Sequence, residues 1–248
     1  MDKLMNGLWV IACVVCPTAA LAQPAGAPQS PPPVWVGSAG VGLSLTNGNS
    51  DTLNYNLTFD ITRTPKARNV IELKALYLKG EQNGAVAVDR TSAGLRDHYS
   101  VSNRVYVFGQ VDYLRDTFKR IDYLVAPAVG AGLKVIDTET TQFSADAGIG
   151  IIFEKTPGVA ARTNAAITAS EKLTHQLTPT ASITHGASAL WKADDLSDGL
   201  YTVSVGLTTK VAERLQLSLN LLDTFKSKPP TGTKRNDVAF VAAITVKF

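Results

Sequence analysis

From Val34 to Phe248 the chain alternates apolar and polar residues with a period of two, segment after segment. That spacing suits strands with one apolar face and fits no helix. Residues 237–248 show it best. Val238, Phe240, Ala242, Ile244, Val246 and Phe248 share one face; Asp237, Ala239, Val241, Ala243, Thr245 and Lys247 share the other. Leu215, Leu217, Leu219 and Leu221 alternate with Arg214, Gln216, Ser218 and Asn220. Phe143, Ala145, Ala147, Ile149 and Ile151 alternate with Ser144, Asp146, Gly148, Gly150 and Ile152. Thr, Val and Gly are abundant, and Asp outnumbers Glu by 15 to 6, which is a strand-and-turn composition.

Turn chemistry separates the segments, as at Asn47-Gly48-Asn49, Thr64-Pro65-Lys66, Gln82-Asn83-Gly84 and Lys155-Thr156-Pro157-Gly158. Twelve strands are predicted, near 34–46, 53–63, 69–80, 88–101, 104–116, 120–136, 140–154, 160–174, 177–191, 199–211, 214–225 and 237–248. Connections after even-numbered strands read as minimal, for example His175-Gln176 and Ala212-Glu213. Those after odd-numbered strands read as longer and more polar, for example Lys192 to Asp198 and Lys226 to Asn236. Short turns on one side and longer loops on the other suit an outer-membrane barrel with both termini on the short-turn side. A secreted soluble sandwich or lipocalin-like barrel would also alternate, but with its apolar face inside. Here the apolar face is larger than a small core needs. Aromatics near strand ends (Trp35, Tyr99, Phe153, Trp191, Tyr201, Phe225, Phe248) suit interfacial girdles. The expected fold is all-β: one antiparallel up-and-down transmembrane β-barrel of about 12 strands.

Residues 1–22 read as a signal peptide, with an apolar run from Leu8 to Cys16 and a small-x-small site at Ala20-Leu21-Ala22. A short buried helix or a lipoprotein signal ending at Cys13 are the other readings of this stretch. Residues 23–33 form a Pro/Ala-rich leader, and 34–248 form the barrel. Cys13 and Cys16 are the only cysteines, so the remainder has no thiolate nucleophile, disulfide framework or Cys-based zinc site. With 24 Lys+Arg against 21 Asp+Glu, the charge is too balanced for nucleic-acid binding.

Ile244, Val246 and Phe248 resemble the C-terminal signal read by the bacterial outer-membrane barrel assembly machinery. Ala243 and Val241 depart from it, where Gly and a polar residue are more usual. The chain from the leader onward also resembles a family of YdiY-like salt-induced outer membrane proteins. The resemblance rests on Gly48-Asn49-Ser50, on Arg104 to Tyr123 with its aromatic-Gly-x-x-Asp-Tyr and Asp116-x-Phe118 pattern, on Gly130-Ala131-Gly132-Leu133, and on Phe153-Glu154-Lys155-Thr156-Pro157. It implies location in the bacterial outer membrane and envelope adaptation to salt stress. It brings no chemistry to carry over.

Barrel enzymes such as lipases, acyltransferases and deacylases need a His, commonly with Ser or Asp, on the outer side. His98 and His175 are expected near the periplasmic end. His185 falls on the lipid-facing side of the ninth strand without an evident Ser or Asp neighbour. The chain is therefore read as a non-enzyme, with an outer-membrane hydrolase or acyltransferase as the alternative. No cofactor or metal is expected; Asp194, Asp195 and Asp198 read as a solvated rim loop before a calcium site. Gly130-x-Gly132 and Gly148-x-Gly150 sit inside strands and thin the wall.

The lumen is the informative surface. Alternation points Arg90, Arg96, Asp112, Asp122, Asp146, Arg162, Lys210 and Arg214 inward, with Asp60, Glu72, Lys74, Lys134, Lys172, Asp237 and Lys247. Two interiors fit: a salt-bridged plug, or a narrow passive channel for small polar solutes. The expected partners are outer-membrane lipid and lipopolysaccharide, with the assembly machinery during biogenesis. The barrel is expected to be a monomer.

Overall fold

The computed structural model describes residues 35–47, 52–63, 68–82 and 85–248. The expected signal peptide and leader, Gly48-Asn49-Ser50 and the turns near residues 65 and 83 lie outside the described residues. The elements are β1 (Trp35–Asn47), β2 (Thr52–Arg63), β3 (Asn69–Gln82), β4 (Ala85–Ser100), β5 (Val105–Asp116), β6 (Ile121–Asp137), β7 (Thr141–Lys155), β8 (Arg162–Gln176), β9 (Ala181–Lys192), β10 (Asp195–Lys210), β11 (Leu215–Lys226) and β12 (Asn236–Lys247). Each pairs antiparallel with its chain neighbours, and β12 returns to β1, closing a twelve-stranded barrel. Among the described residues no helix is long and apolar enough to cross a membrane.

Closure removes every sheet edge, so the backbone of all twelve strands is paired within the wall. The seam runs from Ser38↔Lys247 to Asn47↔Val238. Phe248 extends it: its N–H donates to Gly37 O and its carbonyl accepts from Gly37 N, both at 3.0 Å. A Cβ at position 37 would lie 2.4 Å from Phe248 Cε2, so the glycine is the notch in which the terminal ring sits.

Side-chain direction follows the pleat. On β1, Val41, Leu43 and Leu45 face outward and are exposed, while Ser44 and Thr46 are buried inside. Leu57, Leu133, Ile149, Val205 and Ile244 continue the apolar exterior around the barrel. At the end away from the termini, called here the loop end, Trp191 Nε1 donates to Tyr201 Oη at 2.8 Å, and Phe225 packs against Tyr201 with its ring tilted. Phe248 and Phe59 meet at the terminal end.

The strands differ from expectation at their ends. β9 starts at Ala181 because Leu177 and Thr178 donate to Ala181 O in a tight turn. His175 and Gln176 belong to β8. β10 starts at Asp195, paired with Lys192, and regains register at Gly199 through an irregularity. The expected alternation of short and long connections is correspondingly weak. β9 and β10 are joined by two residues, and 117–120 matches 101–104 in length. Among the loop-end connections only 156–161 and 227–235 exceed four residues, because the strands run on where loops were expected.

Candidate functional site

Inward-facing side chains enclose a cavity of about 850 Å³ at the terminal end. A deeper one of about 590 Å³ shares its ring of Asp60, Glu72, Lys74, Arg96, Asp146 and Ser170, so the two are continuous. Asp146 sits at the centre of that ring. It accepts from Arg96 Nη2 at 2.7 Å, Tyr106 Oη at 2.8 Å and Ser170 Oγ at 2.6 Å. Arg96 Nη1 donates to Gln110 Oε1 at 2.7 Å, and Gln110 Nε2 donates to Asp112 Oδ2 at 2.7 Å. Nearby, Glu72 stands between two ammonium groups, Lys74 at 3.2 Å and Lys172 at 3.4 Å. Opposite charges thus neutralise each other across strands far apart in the chain, which makes charge in a confined space tolerable.

Small residues in the wall make room for this network. A Cβ at Gly132 would lie 2.3 Å from Tyr106 Cζ, and one at Gly130 would lie 2.7 Å from Phe108 Cε1. The two rings therefore lie flat against β6 instead of crossing the lumen. Arg96 stacks on Phe108, its guanidinium carbon 3.9 Å from the ring centroid. Gly130, Gly132 and Gly148 are seats for these rings, in keeping with a close approach inside a strand, whereas Gly150 faces the backbone of Pro127 and Ala128.

Towards the loop end the interior changes. Leu76, Leu114, Leu124, Leu190, Leu200 and Leu222 face the deep cavity and form its apolar floor. Above it lie two packed clusters. One holds Leu114, Ile121, Leu124, Ile152 and Ala166; the other holds Leu78, Phe118, Ala239 and Val241. Beyond them come ion pairs: Arg90–Asp116 at 3.1 Å and Lys119–Asp237 at 2.7 Å, both buried, and Lys192–Asp198 at 2.8 Å, half-buried, with Glu154 and Lys226 beside them. Arg90 also donates to Thr224 Oγ1 at 3.1 Å. The described lumen is a cup, open and lined with polar side chains at the terminal end and packed at the loop end.

Of the inward candidates, Arg90, Arg96, Asp112 and Asp146 line the lumen. Asp122, Arg162, Lys210 and Arg214 do not; all four are exposed. Arg162 and Lys210 end their strands at the rim, and Arg214 lies in the 211–214 turn. Asp122 is displaced by a register shift that sets Ile121 opposite Asp116. The shift keeps two carboxylates from facing each other directly, an unfavourable cross-strand pair. Lys247 is exposed too.

His98 faces the lumen, its ring centroid 5.4 Å from that of Tyr106. His175 contacts Thr141 Oγ1 at 2.8 Å. His185 has a partner the sequence did not reveal: Glu171 Oε1 lies 3.0 Å from its Nε2, on the outer wall. No Ser or Thr hydroxyl is hydrogen-bonded to this His among the described residues. The loop acids are held by lysines, Asp195 by Lys228 and Asp198 by Lys192. No group of three or more metal-ligating side chains occurs among the described residues. The residues that sequence reasoning missed are Phe118 and Lys119, in the 117–120 turn, and the Glu154–Lys192–Lys226 cluster.

Several solved outer-membrane barrels share this fold. A NanC porin superposes with a TM-score of 0.58 at 6% identity, covering 85% of this chain and 100% of that one. The COG4313 outer membrane channel from Pseudomonas putida F1 does so with 0.53 at 11% identity, covering 91% and 100%. A KdgM porin, solved in complex with disordered oligogalacturonate, gives 0.50 at 8% identity, covering 85% and 99%. Comparison with curated proteins gives no match. Residues 39–248 match the family described as "Protein of unknown function, DUF481", and the chain belongs to that family.

Proposed function

We propose that this protein is an outer-membrane channel for small polar solutes. The observation that carries the reading is the cavity of about 850 Å³, lined by Asp60, Glu72, Lys74, His98, Arg96 and Lys172 inside an apolar-walled closed barrel. Both charge signs line it, so neither dominates the field and selectivity between ions is weak. Termini in such barrels lie on the periplasmic side. The cavity then opens to the periplasm, and the packed end faces outward. Export through a cleaved signal peptide, insertion by the assembly machinery through Ile244, Val246 and Phe248, and a monomeric state surrounded by lipid and lipopolysaccharide complete the reading. A kinship with salt-induced envelope proteins fits the same location.

A second reading has its own observation: the packed loop end makes this a structural barrel with a plugged lumen. Thiol labelling and conductance separate the two. Ser188 lines both cavities. A Ser188→Cys variant in vesicles should react quickly with a small charged thiol reagent, and planar bilayers should show brief openings from a closed baseline. An unreactive thiol in the Ser188→Cys variant would remove the water-filled lumen on which the channel reading stands.

A further inference from the structure

A twelve-stranded wall is too wide to be sealed by its own side chains. Eight strands leave an interior that side chains just fill, and the diameter grows with strand number. Yet near the loop end inward residues on ten strands are shut off from solvent, among them Ser44, Asn54, Leu78, Arg90, Asp116, Ile152, Ala166 and Thr224. Something besides the wall fills the middle.

The filler is the 117–120 turn. Phe118 is 4% exposed and packs among Leu78, Ala239 and Val241, all inward-facing. Lys119 is fully buried; its ammonium meets Asp237 at 2.7 Å and donates to Arg235 O at 2.6 Å. Asp116 Oδ1 folds the turn inward by accepting from the N–H groups of Phe118, at 2.8 Å, and Lys119, at 3.3 Å.

We propose that this turn is a gate: swung out of the mouth, it opens the polar lumen to the far side of the barrel. This inference rests on the channel reading above. Three observations make the turn movable while the wall stays in place. First, it lies outside the ladder, which resumes at Asp116↔Ile121. Second, Thr117 anchors the root of the turn to Asp89 of β4, its N–H donating to Asp89 O at 3.2 Å and its Oγ1 accepting from Asp89 N at 3.0 Å, while the polar ties of Lys119 and Arg120 run to one neighbouring region. Lys119 reaches Asp237 and Arg235, and Arg120 Nη1 reaches Thr231 O at 3.5 Å, so loop 227–235 and the start of β12 form the latch. Third, Arg120 holds a φ of 52°, a left-handed conformation that a residue with a Cβ adopts at a cost. Outward movement starts from that strained conformation. It exposes Lys119, Asp116, Arg90 and Asp237, two charges of each sign, so the opened mouth is as unselective as the lumen below it.

The test uses the full chain with Cys13→Ser and Cys16→Ser, so that every remaining thiol is an introduced one. Phe118→Gly with Lys119→Gly should turn rare openings into a sustained open level, with mean current up by roughly an order of magnitude. Phe118→Cys with Ala239→Cys, oxidised by copper phenanthroline, should silence the barrel, and a reductant should restore its openings. Heat-modifiable gel mobility shows whether each variant is folded. Asp237→Asn, which keeps the shape of the latch and removes its charge, should raise open probability even if the double glycine variant fails to fold. If the folded variants stay as quiet as wild type while the Ser188→Cys thiol is still labelled, the gate is overturned and the lumen reading survives. If that thiol is unreactive, the lumen reading itself has failed.

Discussion

The Arg96–Asp146 pair offers the sharpest test of the lumen network. Asp146 is 8% exposed at its side chain and Arg96 22%, so the contact is largely but not wholly withdrawn from water. Breaking a fully buried ion pair costs about 3–5 kcal/mol. Contact of Arg96 with cavity water should lower this to about 2–3 kcal/mol for Arg96→Met, since Tyr106 and Ser170 still donate to Asp146. Asp146→Leu removes the charge and the acceptor for both hydroxyls together, and should cost about 3–4 kcal/mol. The double variant has no charge to strand. It should cost less than the sum of the singles by at least about 1 kcal/mol, a coupling expected of groups in one network. Urea unfolding in lipid vesicles, followed by tryptophan emission and by gel mobility, measures all three. Strictly additive single and double variants would refute the reasoning, because uncoupled residues cannot form a neutralising pair.

Three further outcomes follow from the wall. Gly132→Val should displace Tyr106 from its seat and lower stability by about 1–3 kcal/mol through overpacking, read as an earlier midpoint in the same urea titration. Gly37→Val should slow assembly, because its Cβ would occupy the place of the terminal ring, and deletion of Phe248 should do the same; the rate at which the heat-modifiable band appears in vesicles reports both. Glu171→Leu with His185→Leu should leave stability equal or raise it by about 1–2 kcal/mol, since a polar pair on the outer wall is replaced by lipid-compatible side chains. A loss of stability in that variant would mean that the pair meets a polar partner in the membrane.

The wall was legible in the sequence because a period of two assigns each residue a face before any contact is known. Strand number, closure and the inward course of Arg96 and Asp146 all come from that parity. Their pairing does not, since the two residues are 50 positions apart and meet only through the register of three intervening hairpins. Ends of strands were hardest to place. Lys192 and Lys226 are the last residues of β9 and β11, and each lay one position beyond the expected boundary, so their cluster with Glu154 went unread. Phe118 and Lys119 were beyond reach for another reason. They lie in a turn, where alternation says nothing, and the direction of that turn is set by two hydrogen bonds from its backbone to Asp116.

The closed loop end nevertheless left a trace in the pattern. A strand between lipid and water alternates, whereas a strand dry on both faces is apolar at consecutive positions. Such runs occur at Tyr77-Leu78, Leu124-Val125-Ala126, Ile151-Ile152-Phe153, Ala189-Leu190-Trp191, Leu200-Tyr201 and Leu221-Leu222. All of them lie in the half of their strand nearer the loop end. In the other half many inward positions are polar, among them Thr58, Thr62, Ser144, Thr174, Thr208 and Ser218, and the main apolar run is Val105 to Phe108, whose inward rings sit against β6. One parity rule thus describes two interiors. Where the inner member of each pair is polar the wall holds water. Where it turns apolar, the wall needs packing partners, and in a barrel this wide they have to come from across the lumen or from an inserted turn. The breakdown of alternation marks the depth at which Phe118 enters.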